Sequence, residues 1–62
     1  MNHEPKPKRI VVIRPHGRAE TWVVDIEWTD GRIDREGFEN QDHATLRASR
    51  LADEHRLSVL FC

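Results

Sequence analysis

The sequence predicts a small α+β domain, with one helix on one face of a three- to four-stranded, mainly antiparallel sheet in the order β-β-β-α-β. Three observations carry this prediction. Short runs rich in β-branched residues precede residue 40, one stretch of helical periodicity follows it, and an Asp-Gly pair separates two of the runs. The chain has 62 residues, of which 37% are hydrophobic, so we expect one domain with two layers.

The first strand is predicted at residues 10–13, where the sequence Ile-Val-Val-Ile is β-branched throughout. Residues 1–9 contain two prolines and no aliphatic or aromatic residue after Met1, which predicts a disordered basic tail. The folded domain is therefore expected to span residues 10–62. Pro15, His16 and Gly17 indicate a turn after the first strand.

The second strand, at residues 21–28, has the clearest alternation in the chain. One of its faces holds four large apolar side chains, namely Trp22, Val24, Ile26 and Trp28. Aromatic rings on a strand can act as a platform on which nucleic-acid bases stack. The aliphatic partners of these tryptophans favour a buried face instead, with the ring at the strand end partly exposed.

A hairpin is predicted where Asp30-Gly31 follows the second strand, since a type I′ turn needs positive φ at both central residues. The third strand then runs over residues 32–35 and toward Phe38, with Gly37 as a bulge or strand end. A two-residue turn would place four carboxylates on the face away from the helix, namely Asp25, Glu27, Asp34 and Glu36. Like charges opposite each other are destabilising, so we interpret this acidic patch as offset by arginines or by another chain. A register change near Gly37 and a solvated acidic rim are the alternatives.

The helix is predicted at residues 41–56, with Asn40 or Asp42 as its N-cap. Its apolar stripe contains alanines at a spacing of four together with a leucine, namely Ala44, Ala48, Leu51 and Ala52. Residues 57–61 are predicted to form the last strand. If this strand lies beside the first, a right-handed crossover gives the spatial order 4-1-2-3.

Several of these segments resemble small bacterial β-β-β-α-β families. The matching segments are Ile10-Val11-Val12 before the Gly17 loop, Trp22-Val23-Val24, the helix residues Ala44, Ala48, Leu51 and Ala52, and Leu57 with Val59. They are similar to a domain-of-unknown-function family with a Trp-Val strand and an alanine-rich helix. They also resemble the partial double-stranded-RNA-binding-type fold of HicB-like antitoxins. The resemblance covers residues 10–61 and concerns structural positions, so it implies a fold and an antitoxin-like role but no site residues.

Catalysis is not expected from this sequence, and no catalytic, cofactor-binding or metal-binding residue is predicted. The histidines, His3, His16, His43 and His55, have no spacing that suits a metal site, and the two on the helix lie about 120° apart around it. Cys62 has no neighbouring base that would activate a thiol. We therefore expect a protein that is not an enzyme and needs no cofactor.

Localisation is predicted to be cytoplasmic. No stretch approaches the roughly 18 apolar residues of a membrane helix, and no apolar segment of a signal peptide follows the charged first residues. A single cysteine fits a reducing compartment. No association with a membrane is expected.

Nucleic-acid binding is the alternative function. Basic residues occur around the tail and the first loop, namely Lys6, Lys8, Arg9, Arg14 and Arg18. Such residues contact phosphates, but a net charge of −1 favours at most weak, salt-sensitive and sequence-independent binding.

Self-association is the preferred functional prediction, with a homodimer favoured and a protein partner as a further expectation. The first and last strands are apolar at nearly every position, whereas one helix can cover only one face of the sheet. Val11 and Ile13, or Ile10 and Val12, are expected on the uncovered face of the sheet, together with Val23 and Leu60. Leu46, on the side of the helix opposite the alanines, is a further exposed apolar residue. The predicted oligomer contact comprises Val11, Ile13, Val23, Leu60 and Leu46. Edge-to-edge pairing of the last strand is a second arrangement, and isolated exposed aliphatic residues are a further alternative.

Overall fold

The strands form one mixed sheet with α1 on one side of it. The computed structural model describes residues 5–17 and 20–62, which contain β1 (Pro7–Ile13), β2 (Trp22–Trp28), β3 (Ile33–Phe38), α1 (Gln41–His55) and β4 (Val59–Phe61). The spatial order is β3-β2-β1-β4. The pairs β1–β2 and β2–β3 are antiparallel, and β4 is parallel to β1. The predicted α+β class, element order and strand order are confirmed.

The core is a thin layer between α1 and one face of the sheet. Its buried members are Ile10, Val12, Val24, Ile26, Ala44, Ala48 and Ala52. Alanines at a spacing of four share one side of a helix, so the backbone of α1 lies close to the strands. Trp22 and Trp28 are half-buried against this cluster, as the alternation in β2 predicts.

Both ends of α1 are capped by local hydrogen bonds. Asn40 has extended backbone angles, and its Oδ1 accepts a hydrogen bond from the His43 N–H at 2.9 Å. At the other end, Arg56 adopts the left-handed conformation with φ 56°, and the Leu57 N–H donates to the Ala52 carbonyl at 2.8 Å. This five-residue reach is typical of a Schellman turn. Residues 57 and 58 therefore belong to the turn, and β4 begins two residues later than predicted.

Replacing Arg56 by glycine is expected to stabilise the fold by about 1 kcal/mol, because the left-handed conformation is unfavourable for a residue with a Cβ. For a chain of this size, that gain corresponds to a rise in Tm of about 4–8 °C. Arg56→Ala is the matched control, since it removes the same side chain but keeps the Cβ. Thermal unfolding followed by circular dichroism checks this, and an equal Tm for the two variants would contradict the left-handed cap.

The first strand begins at Pro7, three residues earlier than predicted. Pro7 is buried and pairs with Trp28, and the register shifts at the next residue of the strand. The pairing continues to Lys6, whose carbonyl accepts from the Thr29 N–H at 2.9 Å. β4 reaches only residues 10–12 of β1, so β1 has an unpaired edge beside Pro7, where a residue without an N–H is tolerated. The prediction of a tail over residues 1–9 is therefore wrong for residues 7–9, and residues 1–4 lie outside the described part.

The β2–β3 hairpin has a three-residue loop instead of the predicted two-residue turn. The Gly31 N–H donates to the Trp28 carbonyl at 3.0 Å, and the Trp28 N–H donates to the Arg32 carbonyl at 2.8 Å. Gly31 has φ 91°, which is typical of a type I turn followed by a glycine bulge. As a result Asp25 lies opposite Arg35, and the predicted register is wrong by one residue. Gly37 lies within the regular ladder and is neither a bulge nor a strand end.

Candidate interaction surface

The face of the sheet turned away from α1, here called the open face, carries an apolar stripe. The stripe consists of Val11, Ile13, Val23 and Leu60. Val11 lies opposite Leu60 of β4, and Ile13 lies opposite Val23 of β2, so the stripe crosses three strands. Three of its side chains are half-buried and Leu60 is 47% exposed, because no other described element packs on this face. The structure thus brings together four of the five residues predicted for an oligomer contact.

Leu46 does not belong to this surface. It is 53% exposed and lies two residues from Ala44 and Ala48, which places it on the outer side of α1. The helix therefore separates Leu46 from the stripe by the thickness of the molecule. The sequence predicts Leu46 on the side of the helix opposite the alanines, as the structure has it, and its part in an oligomer contact stays a prediction.

The rest of the open face carries Ile33 of β3, which is 53% exposed opposite Glu27, and charged side chains that are paired within the chain. Arg9 Nε lies 3.3 Å from Glu27 Oε2, and Arg35 Nε lies 3.0 Å from Asp25 Oδ1. Asp25 is only 9% exposed, and its Oδ1 has no hydrogen-bond partner among the described residues, because the Arg35 N–H does not point along the short contact. The Arg9–Glu27 pair is exposed and contributes little to stability, whereas Arg35 neutralises a buried carboxylate at Asp25.

The predicted acidic patch is split between the two faces of the sheet. Asp25 and Glu27 lie on the open face, whereas the one-residue change of register turns Asp34 and Glu36 toward the side of α1. There Asp34 Oδ2 accepts a hydrogen bond from the Trp28 indole N–H at 2.8 Å. The four carboxylates therefore do not form one patch, and the prediction of one is wrong.

Glu36 connects β3 to α1 because its carboxylate accepts two hydrogen bonds from Arg47. Arg47 Nε donates to Glu36 Oε1 at 3.0 Å and its Nη2 donates to Oε2 at 3.2 Å. These hydrogen bonds raise the pKa of the Arg47 guanidinium, desolvation opposes them, and the attraction of Glu36 and Glu54 adds to the rise. The charge of the Arg47 guanidinium is therefore paired within the chain.

The indole of Trp28, at the end of β2, makes two contacts within the chain, one through its N–H and one through the face of its ring. The Trp28 indole N–H donates a hydrogen bond to Asp34, and the Arg32 guanidinium lies 5.3 Å from the centre of the ring system. A cation over an aromatic face is a favourable contact. This arrangement covers the ring from within the chain, which favours the structural interpretation of Trp28 over base stacking.

The basic residues predicted to contact nucleic acid are not brought together. Lys6 and Arg14 lie at opposite ends of β1, about 26 Å apart at the rise of a strand. Between them Lys8 is exposed, and Arg9 is paired with Glu27. Arg18 lies outside the described residues. The described part of this set does not form a basic patch.

A shallow, open groove lies where β1, β4 and the start of α1 meet. It has a volume of about 350 Å³ and is lined by Val12, Arg14, Trp22, Gln41, Phe61 and Cys62. Three of its lining residues are aliphatic or aromatic, and the other three are Arg14, Gln41 and Cys62, which do not combine a nucleophile with a general base. Sequence reasoning missed it, because no pattern in the strands shows where the helix begins above them.

The described residues contain no group of three His, Cys, Asp or Glu side chains that could hold a metal ion. In the same part of the chain, no helix is both long and apolar enough to cross a membrane. Comparisons with protein-family models, with curated proteins and with solved structures find no significant match. The suggested likeness to HicB-like and related small bacterial families therefore stays a prediction, and the function is argued from the residues of this chain.

Proposed function

We propose that this protein is a non-enzymatic interaction module that self-associates. The observation that supports the proposal is the apolar stripe, which crosses the open face and continues to the exposed edge strand β4. A sheet with one wet face usually alternates polar and apolar residues, whereas β1 is apolar on both faces from residue 10 to residue 13.

The size of the open face suits a weak, reversible contact. The four strands contain 23 residues, which at a rise of about 3.3 Å and a spacing of about 4.8 Å give a face of roughly 360 Å². Apolar patches of a few hundred Å² are often functional, whereas a standard stable interface buries about 800 Å² on each partner. We therefore expect association in the micromolar range.

Charge does not oppose such a contact. Each carboxylate described on the open face has an arginine within 3.3 Å, at Glu27 with Arg9 and at Asp25 with Arg35. An unpaired buried charge is a strong obstacle to association, and the intrachain pairs remove it. The stripe can therefore be covered without placing an unbalanced carboxylate in the interface.

Two exposed leucines provide a matched test. Leu60→Lys places a charge in the stripe, whereas Leu46→Lys places the same charge on the far side of the molecule. The two leucines are similarly exposed in the parent protein, at 47% and 53%. We expect Leu60→Lys to lower the mass measured by light scattering to that of the monomer, and Leu46→Lys to associate like the parent protein. A monomeric parent, or a Leu60→Lys variant with the mass of the parent, would contradict the proposal.

A further inference from the structure

We infer that two copies join edge to edge through β4, antiparallel, with a two-fold axis at Leu60. The inference rests on the proposed self-association and gives it a geometry. The joined strands would form one eight-stranded sheet, in which β4 and its counterpart are the central pair.

The backbone of β4 offers a regular set of free hydrogen-bonding groups. The Cys62 N–H donates to the Val12 carbonyl at 2.9 Å, and the Cys62 carbonyl faces the Arg14 N–H at 3.5 Å. Backbone groups of alternate residues in a strand point the same way, so those of Leu60 also face β1. The N–H and carbonyl groups of Val59 and Phe61 therefore point away from the sheet, where no other described strand lies.

These free groups are complementary to a second copy of themselves. With Leu60 on the axis, Val59 lies opposite Phe61 of the second copy, and Phe61 lies opposite Val59 of the second copy. Each of these pairs exchanges two hydrogen bonds, so all four free groups of each strand are satisfied. The two Leu60 residues face each other as a pair without backbone hydrogen bonds, with Cα atoms about 4.5 Å apart.

The side chains distinguish this edge from the opposite one. β4 has no charged residue and no proline, and its Leu60 and Phe61 are 47% and 63% exposed. The other edge strand, β3, has three successive charged residues at positions 34–36. Charged side chains are a common protection against edge pairing, so β3 is protected and β4 is not.

The arrangement is free of a helix clash. A two-fold axis perpendicular to the sheet keeps both helices on the same side of it. The two β1 strands would be three strand spacings apart, or about 14 Å, and packed helices need only 8–10 Å. On the open face, the two Leu60 side chains lie beside each other at the axis, so the edge contact involves the β4 end of each stripe, and Val11, Ile13 and Val23 stay on the open face of the joined sheet.

Disulfide cross-linking tests the position of the axis. Leu60→Cys in a Cys62→Ser background places two thiols on the axis, at a Cα separation suited to a disulfide. Val23→Cys in the same background is the matched control, because Val23 lies on the open face two strands away from β4. We expect oxidised Leu60→Cys to form the covalent dimer at least ten times faster than Val23→Cys. Faster linkage of Val23→Cys would indicate contact between open faces and would overturn the edge arrangement.

A second pair of variants tests the backbone directly. Phe61→Pro removes an outward N–H without removing a hydrogen bond between β4 and β1, and Phe61→Val removes the ring but keeps the N–H. Because both copies carry the substitution, Phe61→Pro removes two intermolecular hydrogen bonds. Each bond changes the dimer Kd by about a factor of five, so Phe61→Pro should have a Kd at least ten-fold higher than Phe61→Val. Equal Kd values would overturn the edge arrangement but leave self-association in place, whereas a monomeric parent protein would overturn the proposed function itself.

Discussion

Replacing Ala48 by glutamine is expected to lower the free energy of unfolding by about 2–6 kcal/mol. Ala48 is 0% exposed and lies between Ala44 and Ala52 on the side of α1 that touches the sheet. A longer side chain overpacks this contact by about 1–3 kcal/mol, and burying an unpaired amide costs about as much again. Small domains of this length have about 3–9 kcal/mol of stability in total, so a large fraction of the variant should be unfolded at 25 °C.

The measurement is urea unfolding followed by tryptophan fluorescence. Leu46→Gln is the matched control, because it introduces the same side chain on the exposed side of the same helix. We expect this control to change the stability by less than about 0.5 kcal/mol. If Ala48→Gln unfolded at the same urea concentration as the parent, the side of α1 that faces the sheet would be wrongly assigned.

Replacing Ile10 by alanine should be nearly as damaging, with a loss of about 2–5 kcal/mol. Ile10 is 0% exposed and sits in β1, between the neighbouring strands β2 and β4 and beneath α1. Removing three carbons there leaves a cavity that a thin core cannot close easily, which adds to the lost transfer free energy. Thermal unfolding followed by circular dichroism is the measurement.

The adjacent residue gives the control for this second prediction. Val11 is half-buried on the open face, one position along the same strand. Val11→Ala should cost at most about 1 kcal/mol in the monomer, because no helix covers that face and little packing is lost. Equal losses for Ile10→Ala and Val11→Ala would contradict a core confined to one face of the sheet.

The location of the core was predictable because two periodicities agree on it. The alternation from Trp22 to Trp28 identifies one face of β2, and the spacing of the alanines identifies one side of α1. With one helix and one sheet, these two apolar surfaces can be buried only by packing against each other. The sequence of β1 does not alternate, so it leaves open whether Val11 and Ile13 or Ile10 and Val12 are uncovered, and the structure places Val11 and Ile13 on the open face.

The register of the hairpin was not predictable from its turn residues. Asp30-Gly31 suits both a two-residue type I′ turn and a three-residue turn with a glycine bulge, since both need a positive φ at Gly31. The two choices differ by one residue, which turns every side chain of β3 to the other face. Asp34 and Glu36 were assigned to the wrong face for this reason, although Arg47 on α1 is a suitable partner for Glu36.

The start of β1 depended on tertiary context in a similar way. Proline is unfavourable within a paired strand, so residues 7–9 looked unlike a strand. The shortness of β4 leaves one edge of β1 unpaired there, and that makes proline acceptable at Pro7. A local pattern does not reveal how far a neighbouring strand extends.

Sedimentation equilibrium of the parent protein over a micromolar concentration series tests the central claim, self-association, most directly. The chain has a mass of 7.3 kDa. We expect the weight-average mass to rise with concentration toward twice that value, as a reversible two-fold dimer requires. A mass that stays at 7.3 kDa across the whole series would contradict self-association and the edge pairing that depends on it.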